Sequence, residues 1–307
     1  MTSRFSIVGI GEALFDIFPD KQVLGGAPLN AAVHAHQLAA QRGGEGVVVS
    51  RVGQDELGQE VVKQLASRGV NTSFLQFDPD RDTGRVYVGL DNQGQPEYEI
   101  VREVAWDWLN FDPDTEDLAQ KCDAVCFGTL AQRNGQARHA IYRFLDTARR
   151  AVRLFDVNLR QNFYDRQILH RSCEAATAVK LNTDELPVLA RELGLVGADG
   201  SDQAISLLFK RYPMLKLVAL TRGKLGTVLY TPSGQRLEGE KVSYQPANDA
   251  DAVGAGDACS AGLLVGMILR WPLERTLALA NHVGAYVASQ SGATPRLPDS
   301  ILDMVKR

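Results

Sequence analysis

The sequence predicts an α/β protein in which helices cover both faces of a sheet. Short apolar runs alternate with amphipathic helical stretches along the chain, which is the pattern of α/β layering. Strands such as Ala124–Phe127 are apolar at every position, as expected where both faces of a sheet are covered. No repeat, low-complexity tract or linker divides the 307 residues, so we expect a single domain over 1–307.

The individual elements follow from the period of the apolar residues. Short, nearly continuous apolar runs predict strands at 5–10, 47–52, 124–127, 153–157, 179–181 and 217–220. Longer stretches with helical spacing predict helices at 29–41, 55–68, 134–150, 183–193, 202–211, 258–270 and 273–289. His34 and His36, two positions apart on one predicted helix, face different directions and do not suit a metal pair.

One region departs from this alternation. Residues 85–88 and 98–101 alternate in polarity around positions 91–94, where Asn92 and Gly94 favour a hairpin turn. A further extended piece at 14–24 is available to pair with it. Two interpretations remain open from these residues: a small sheet that closes over a site as a lid, or an antiparallel edge of the main sheet.

The composition excludes several classes of protein. A hydrophobic content of 45% and a charged content of 23% are ordinary for a soluble globular protein. The net charge of -4 offers no reason to bind nucleic acid or an anionic membrane, and no apolar run approaches a bilayer span. The first residues lack the apolar core of a signal peptide, and the four cysteines lack metal or disulfide spacing. We therefore expect a cytoplasmic protein with reduced cysteines.

The segment 251–257 carries the clearest chemistry. Gly254 and Gly256 permit backbone conformations closed to other residues, and a helical pattern follows them directly. The first amides of a helix have no intrahelical partner and favour an anion. Asp257 places a base beside that anion and should stay ionised, because the amides and the helix dipole favour a carboxylate. An anion cradle with a base is what phosphoryl transfer to a hydroxyl requires.

Polar groups near the first strand and first helix suit a polyol. Gly25 and Gly26 open the helix and permit close approach of a ligand, while Asn30 supplies a donor and an acceptor. Asp16 follows the first strand, where α/β proteins place ligand groups. The alternative for the two glycines is a plain strand-to-helix turn. The alternative for Asp16 is a solvated turn residue.

Three strand ends offer groups for phosphate or metal. Arg160 suits a phosphate or carboxylate, or else a surface salt bridge. Asn182 and Glu185 suit a hydrated Mg²⁺, or else an ordinary helix N-cap. The turn at 220–226 is able to present amides to a nucleotide phosphate, or is simply a hairpin. A Walker loop and a complete dinucleotide fingerprint are both missing, which disfavours P-loop NTPases and dehydrogenases.

Taken together, these motifs resemble the ribokinase-like (PfkB) family of carbohydrate and nucleoside kinases over nearly the whole chain. The strongest matches are GGAPLNAA at 25–32 and DAVGAGDA at 251–258, with support at 52–58 and 281–285. Segments 11–16, 127–133 and 155–164 resemble the bacterial fructokinase branch. The resemblance implies a three-layer αβα sandwich with a mostly parallel central sheet and a small β-sheet lid from about 14–24 and 83–104.

The resemblance also implies roles for individual residues. Asp257 would be the general base, with Gly254, Ala255, Gly256 and the Asp257 amide as the anion hole. Sugar would be bound by Asp16, Gly26 and Asn30, with Arg160 near the phosphates or the substrate. The ATP site would include Thr221, Gly223, Gly226, residues 291–293 and, nearer the adenine, Asn281. Asn182 and Glu185 would hold Mg²⁺ through water, and Asp251 a monovalent cation such as K⁺. Ala252 and Cys259 depart from the family, which usually carries Thr and Phe there.

We therefore expect an ATP-dependent kinase that phosphorylates a hydroxymethyl group of a small sugar, with fructose giving fructose 6-phosphate. A nucleoside kinase is an alternative, with Tyr87 and Tyr98 as platforms for the base. A 2-keto-3-deoxygluconate kinase is another, with Arg102, Arg133 or Arg160 for the carboxylate. A sugar-binding regulator without catalysis is disfavoured by the intact Gly-Ala-Gly-Asp. Exposed lid strands could also pair two subunits into a homodimer.

Overall fold

The computed structural model describes residues 5–90, 96–195, 197 and 200–306. The strands of this part of the chain are β1 (Ser6–Ile10), β2 (Leu14–Ile17), β3 (Gln22–Gly25), β4 (Glu45–Gly53), β5 (Leu75–Asp78), β6 (Gly84–Leu90), β7 (Pro96–Ile100), β8 (Ala124–Phe127), β9 (Val152–Asp156), β10 (Ala178–Asn182), β11 (Leu217–Thr221), β12 (Thr227–Tyr230) and β13 (Arg236–Glu238). The helices are α1 (Ala27–Ala39), α2 (Glu56–Ser67), α3 (Pro113–Lys121), α4 (Gly135–Thr147), α5 (Arg166–Ala175), α6 (Glu185–Leu193), α7 (Ser201–Arg211), α8 (Ala255–Ile268), α9 (Leu273–Val287) and α10 (Asp299–Lys306).

A large sheet forms the centre of the molecule. Its strand order is β13-β12-β11-β10-β9-β8-β1-β4-β5. Strands β11 to β5 run parallel, while β12 and β13 add an antiparallel edge. All the strands predicted from continuous apolar runs lie in the parallel part, because only a sheet covered on both faces buries such runs completely.

Helices cover both faces of the large sheet. Alternate side chains of one strand enter different cores: Val8 and Ile10 pack towards α3–α7, whereas Ile7 packs towards α1 and α8–α10. The predicted three-layer α/β fold is therefore confirmed. It also brings the carboxyl ends of the parallel strands to one edge, where ligands bind in open α/β sheets.

A separate small sheet stands at that edge. Its order is β3-β2-β6-β7, with β2 and β6 parallel and the outer pairs antiparallel. The prediction that 14–24 pairs with 83–104 is confirmed, and the interpretation as an edge of the main sheet is wrong. Phe15 and Leu24 anchor the small sheet in a core shared with Val61 and Leu65 of α2. The predicted turn at 91–94 lies outside the described residues.

Helix boundaries differ from the prediction where a capping residue, rather than the spacing of apolar residues, determines where the helix begins. Helix α8 begins at Ala255, three residues before the predicted start, because Gly254 takes a left-handed conformation (φ 78°) and serves as its N-cap. Helices α3 and α5 escape the prediction because few of their residues are apolar. Their signal is the cap: Asp112 accepts from the Thr115 amide and Asp165 from that of Ile168. In the described part of the chain, no helix combines the length and apolarity needed to cross a bilayer.

Candidate active site

Asp257 lies in the first turn of α8, at the edge of the large sheet. The Ala255 amide donates to the Ala252 carbonyl, and the Ala258 amide to that of Gly254. The amides of Gly256 and Asp257 have no hydrogen-bond partner among the described residues. Two free amides at a helix N-terminus are suited to bind an anion, and the buried Asp257 carboxylate lies in the same turn.

The second anchor of the site is the start of α1. Gly26 is its N-cap with φ 113°, and a Cβ there would lie 2.3 Å from the Glu12 carbonyl oxygen, so only glycine fits. One turn later, Asn30 Nδ2 donates a 2.9 Å hydrogen bond to Asp257 Oδ2. Asn30 Oδ1 is buried without a partner among the described residues. The unpartnered Asn30 Oδ1 therefore lies beside the Asp257 carboxylate, and a hydroxyl group bound there would be within reach of both acceptors.

The pKa of Asp257 is raised to about 6, first by burial and then by the charge of Asp156. Lys180, the hydrogen bond from Asn30 and the charge of Arg160 act in the opposite direction. The sequence predicts a carboxylate held ionised by helix amides. The structure adds the larger opposing effect of burial, so Asp257 titrates near neutrality while remaining mostly ionised above pH 7.

A buried ion pair underlies the glycine turn, and sequence reasoning missed it. Lys180 Nζ donates to both Asp156 oxygens at 2.7 and 2.8 Å, and Ser260 Oγ of α8 donates to the same carboxylate at 2.9 Å. A Cβ on Gly256 would lie 3.1 Å from Lys180 Nζ. Burial is the largest single effect on the pKa of Lys180 and lowers it, but the charges of Asp156, Cys259 and Asp257 and the hydrogen bond to Asp156 together outweigh burial and raise the pKa. A lysine inside an otherwise apolar strand was the available signal.

Glu12 is a second group that the sequence did not single out. Its Oε1 accepts from the Ala27 amide at 3.2 Å, while Oε2 is buried without a partner among the described residues. Burial raises its pKa to about 7, with a further contribution from the charge of Asp257. Glu12 thus binds a backbone amide at the N-terminus of α1, and its charge is coupled to that of Asp257.

Asp16 of β2 and Arg160, which lies in the segment after β9, are electrostatically coupled. Burial raises the pKa of the half-buried Asp16 to about 6, and the charge of Arg160 lowers it. Arg160 is exposed and donates to the Leu159 carbonyl at 3.1 Å. Within the described ranges it makes no salt bridge, so the surface salt bridge considered from sequence is absent there. Both groups remain available to a ligand.

Asn182 and Glu185 form a capping box at the start of α6. Asn182 Oδ1 accepts from the Asp184 and Glu185 amides at 2.8 Å, and Glu185 Oε2 accepts from the Asn182 amide at 2.8 Å. Glu185 Oε1 also accepts from the Leu159 amide. Burial, followed by the charge of Asp156, raises the pKa of Glu185. Among the described residues no three metal-ligating side chains converge, so a metal here would need water ligands.

The predicted nucleotide segment lies directly beside this box. Asn182 and Thr221 are register partners on adjacent parallel strands, and Gly223 and Gly226 both have positive φ in the turn that follows. Asn281 holds backbone instead, because its Oδ1 accepts from the Thr227 amide and its Nδ2 donates to the Glu240 carbonyl. Its buried amide therefore fastens β12 to the following segment.

Asp251 joins two loops. Its Oδ1 accepts from the Val253 amide at 3.0 Å and its Oδ2 from the Gly292 amide at 3.2 Å, while its own amide donates to the Gln290 carbonyl. Residues 290–293 are thereby held against the glycine turn. The fold brings Asp257, Asn30, Asp16 and Arg160 into one electrostatically coupled group, with the strand-end pair Asn182 and Thr221 on neighbouring strands.

This architecture has close counterparts among known proteins. Residues 18–300 match the model of the pfkB family carbohydrate kinases. A fructokinase of Klebsiella pneumoniae is 31% identical over 94% of this chain and 95% of its own length. A fructokinase structure with bound ATP from Xylella fastidiosa has a TM-score of 0.82 at 24% identity over 98% of both chains. An aminoimidazole riboside kinase from Salmonella enterica, solved with its riboside and an ATP analogue, has a TM-score of 0.76 at 25% identity over 98% of this chain and 99% of its own. The chain therefore belongs to the pfkB family and is an ATP-dependent carbohydrate kinase.

Proposed function

We propose that this chain transfers the γ-phosphoryl group of ATP to the hydroxymethyl group of fructose, giving fructose 6-phosphate, with residues 1–307 acting as one kinase domain. The observation that carries this is the buried Asp257 carboxylate, held by Asn30 next to two free helix amides. The fructokinase relatives across nearly the full length support fructose as the sugar.

In this mechanism Asp257 takes the proton of the attacking hydroxyl as the phosphoryl group is transferred. General base catalysis of this kind contributes about 10²- to 10⁴-fold. Gly254, Ala255 and Gly256 shape the anion hole, in which the Gly256 and Asp257 amides stabilise the charge of the phosphoryl group. Asp16, Gly26 and Asn30 hold the sugar, and Arg160 contacts the sugar or the phosphates. The small sheet acts as a lid that excludes water.

The nucleotide side of the site is proposed along the ends of β10 and β11. Thr221, Gly223 and Gly226 line the ATP site, and Asn281 supports its wall near the adenine. Asn182 and Glu185 would hold hydrated Mg²⁺, whose charge neutralises the phosphates. The negative charge of Asp156 helps to raise the pKa of Glu185, and a cation bound nearby would offset this repulsion. Asp251 would contribute to a monovalent cation site such as one for K⁺, although Ala252 offers no hydroxyl.

The test is ADP release, measured by a coupled assay with fructose, ribose, 2-keto-3-deoxygluconate and nucleosides at equal concentrations. We expect the highest kcat/KM with fructose and a product phosphorylated at C6 by NMR. A higher kcat/KM with another substrate would replace fructose. No release with any of them would instead favour the sugar-binding regulator.

An acidic sugar is the second candidate, and it rests on two cations. Arg102 lies over the Phe163 ring at 5.0 Å, and both Arg102 and Arg160 are exposed and form no salt bridge within the described residues. Arg133, by contrast, is committed to Asp107 through two hydrogen bonds of 2.7 and 2.8 Å. 2-Keto-3-deoxygluconate would place its carboxylate at Arg102 or Arg160, so an Arg→Met variant at the residue that binds it would selectively raise KM for that substrate.

The small sheet bears on the remaining alternatives. Asp16 pairs with Val86 and Val88 with Tyr98, so Tyr98 shares the face of Asp16, whereas Tyr87 lies on the other. Of the two tyrosines, only Tyr98 is thus placed to stack on a nucleoside base.

Strands β3 and β7 are the outer strands of this sheet, and we propose that pairing at these edges forms a homodimer. Light scattering at micromolar concentration tests the dimer.

A further inference from the structure

His34 lies one helical turn after Asn30 on α1, at the back of the proposed phosphoryl-transfer site. It is fully buried, and its Nε2 is 2.9 Å from the Ala293 carbonyl oxygen. Burial lowers its pKa to about 4, so the ring is neutral and Nε2 carries the donated proton. Nδ1 is buried without a partner among the described residues. The ring therefore makes one directional hydrogen bond, to the backbone of a loop.

That loop is in direct contact with the glycine turn. A Cβ at position 254 would lie 2.3 Å from the Ala293 carbonyl oxygen and 2.8 Å from its Cα, so the Ala293 peptide packs against Gly254 itself. The same loop receives the Asp251 amide at Gln290 and donates the Gly292 amide to Asp251. A displacement of the Ala293 peptide would therefore be transmitted to the residue that caps α8.

Helix α1 thus contacts the site at two levels on one face. Residues four apart on a helix are neighbours, and here Asn30 binds the Asp257 carboxylate while His34 binds the loop behind Gly254. One rigid element sets both the base and the support of the amides beside it. Small displacements matter in such a site, since a misplacement of 1 Å can cost about 100-fold in rate.

We propose that His34 is a positioning residue for phosphoryl transfer, which holds the Ala293 peptide against Gly254 and thereby orients the Gly256 and Asp257 amides. This role presupposes the proposed function of the turn at 254–257. It differs from that of a histidine that merely fills the core, because it depends on the Nε2 proton rather than on the volume of the ring.

The test compares His34→Gln with His34→Met in the full-length enzyme. Both replacements are unbranched and of similar length, but only Gln offers an N–H to the Ala293 carbonyl. We expect His34→Met to lower kcat by about 10- to 100-fold with KM for the sugar within about threefold of wild type. We expect His34→Gln to recover most of that loss. Each kcat is referred to the number of sugar-binding sites, measured by calorimetry, so that unfolded protein does not enter the comparison.

The outcomes separate the two proposals. Wild-type kcat in His34→Met, or equal losses in both variants, would overturn the role of the hydrogen bond. Asp257→Asn is the parallel arm: if it kept wild-type turnover, the proposed base would fail, whatever His34 does. If Asp257→Asn were inactive and His34→Met fully active, the assignment of Asp257 as the base would stand and only the inference on His34 would be rejected.

Discussion

Asn30 Nδ2 and Asp257 Oδ2 are joined by a 2.9 Å hydrogen bond across 227 positions of sequence. Both side chains are buried, and each lies in the first turn of its helix. The bond fixes the orientation of the carboxylate and leaves Oδ1 of Asp257 for the substrate hydroxyl that we propose it binds. It joins the two strongest motifs of the chain in one contact.

Asp257→Asn should lower kcat by about 10²- to 10⁴-fold, because an amide cannot accept the hydroxyl proton. The side chain keeps its shape, so the Kd for sugar, measured by calorimetry, should change little. Turnover close to that of wild type would contradict the assignment of Asp257 as the general base.

The acid limb of turnover should lie near pH 6. The pKa of Asp257 is about 6, so lowering the pH through this value protonates the base and reduces kcat. The Asn30 hydrogen bond lowers that pKa, and Asn30→Leu should therefore move the limb to higher pH. The measurement is kcat at saturating sugar from pH 5 to 9. An unmoved limb in Asn30→Leu would show that another group controls it.

Glu12→Gln should change how stability depends on pH. Burial raises the pKa of Glu12 to about 7, so between about pH 4.5 and 7 the folded protein keeps a proton that the unfolded chain releases. This contribution is fully present below pH 4.5 and is lost as the pH rises through 7. The free energy of unfolding of the variant, relative to wild type, should rise across that window by about 1.4 kcal/mol per pKa unit. Urea unfolding at pH 4.5 and 8 measures it, and a constant difference would contradict it.

Lys180→Met should be strongly destabilising, by about 3–5 kcal/mol, because it leaves the Asp156 charge buried and unpaired. Adding Asp156→Asn removes that charge and retains an acceptor for Ser260, so the double variant should recover part of the loss. Chemical denaturation of the two single variants and the double variant gives the coupling energy. Additive effects would contradict a direct Lys180–Asp156 interaction.

Gly254→Ala should impair turnover, with Gly234→Ala as its matched control. Both glycines have positive φ (78° and 85°), so backbone strain alone should cost each variant about 1–2 kcal/mol of stability. Apart from the chain neighbours, no heavy atom of the described residues lies within 4 Å of a Cβ at 234, whereas a Cβ at 254 collides with Ala293. We therefore expect normal kcat in Gly234→Ala and at least about a tenfold loss in Gly254→Ala. Equal activities would show that this contact has no bearing on turnover.

The fold was predictable because its signals are local. Continuous apolar runs mark the buried parallel strands, and alternating polarity marks the small sheet, since side-chain period follows directly from backbone geometry. Helices α3 and α5 were missed because they bury few side chains and rely on their Asp112 and Asp165 caps. The residues of the candidate site were recognisable from sequence where a motif stands in one segment, as at 25–30 and 251–257.

What the sequence by itself determined is the class of chemistry: a glycine turn, a carboxylate at a helix start and a polar helix opening. What only the tertiary structure decided is how these groups act on one another. Burial sets the pKa of Asp257 near 6, Lys180 and Asp156 meet beneath Gly256, and His34 reaches Ala293 across 259 positions. Desolvation and charge coupling depend on distances between residues far apart in sequence, and only the folded chain sets those distances.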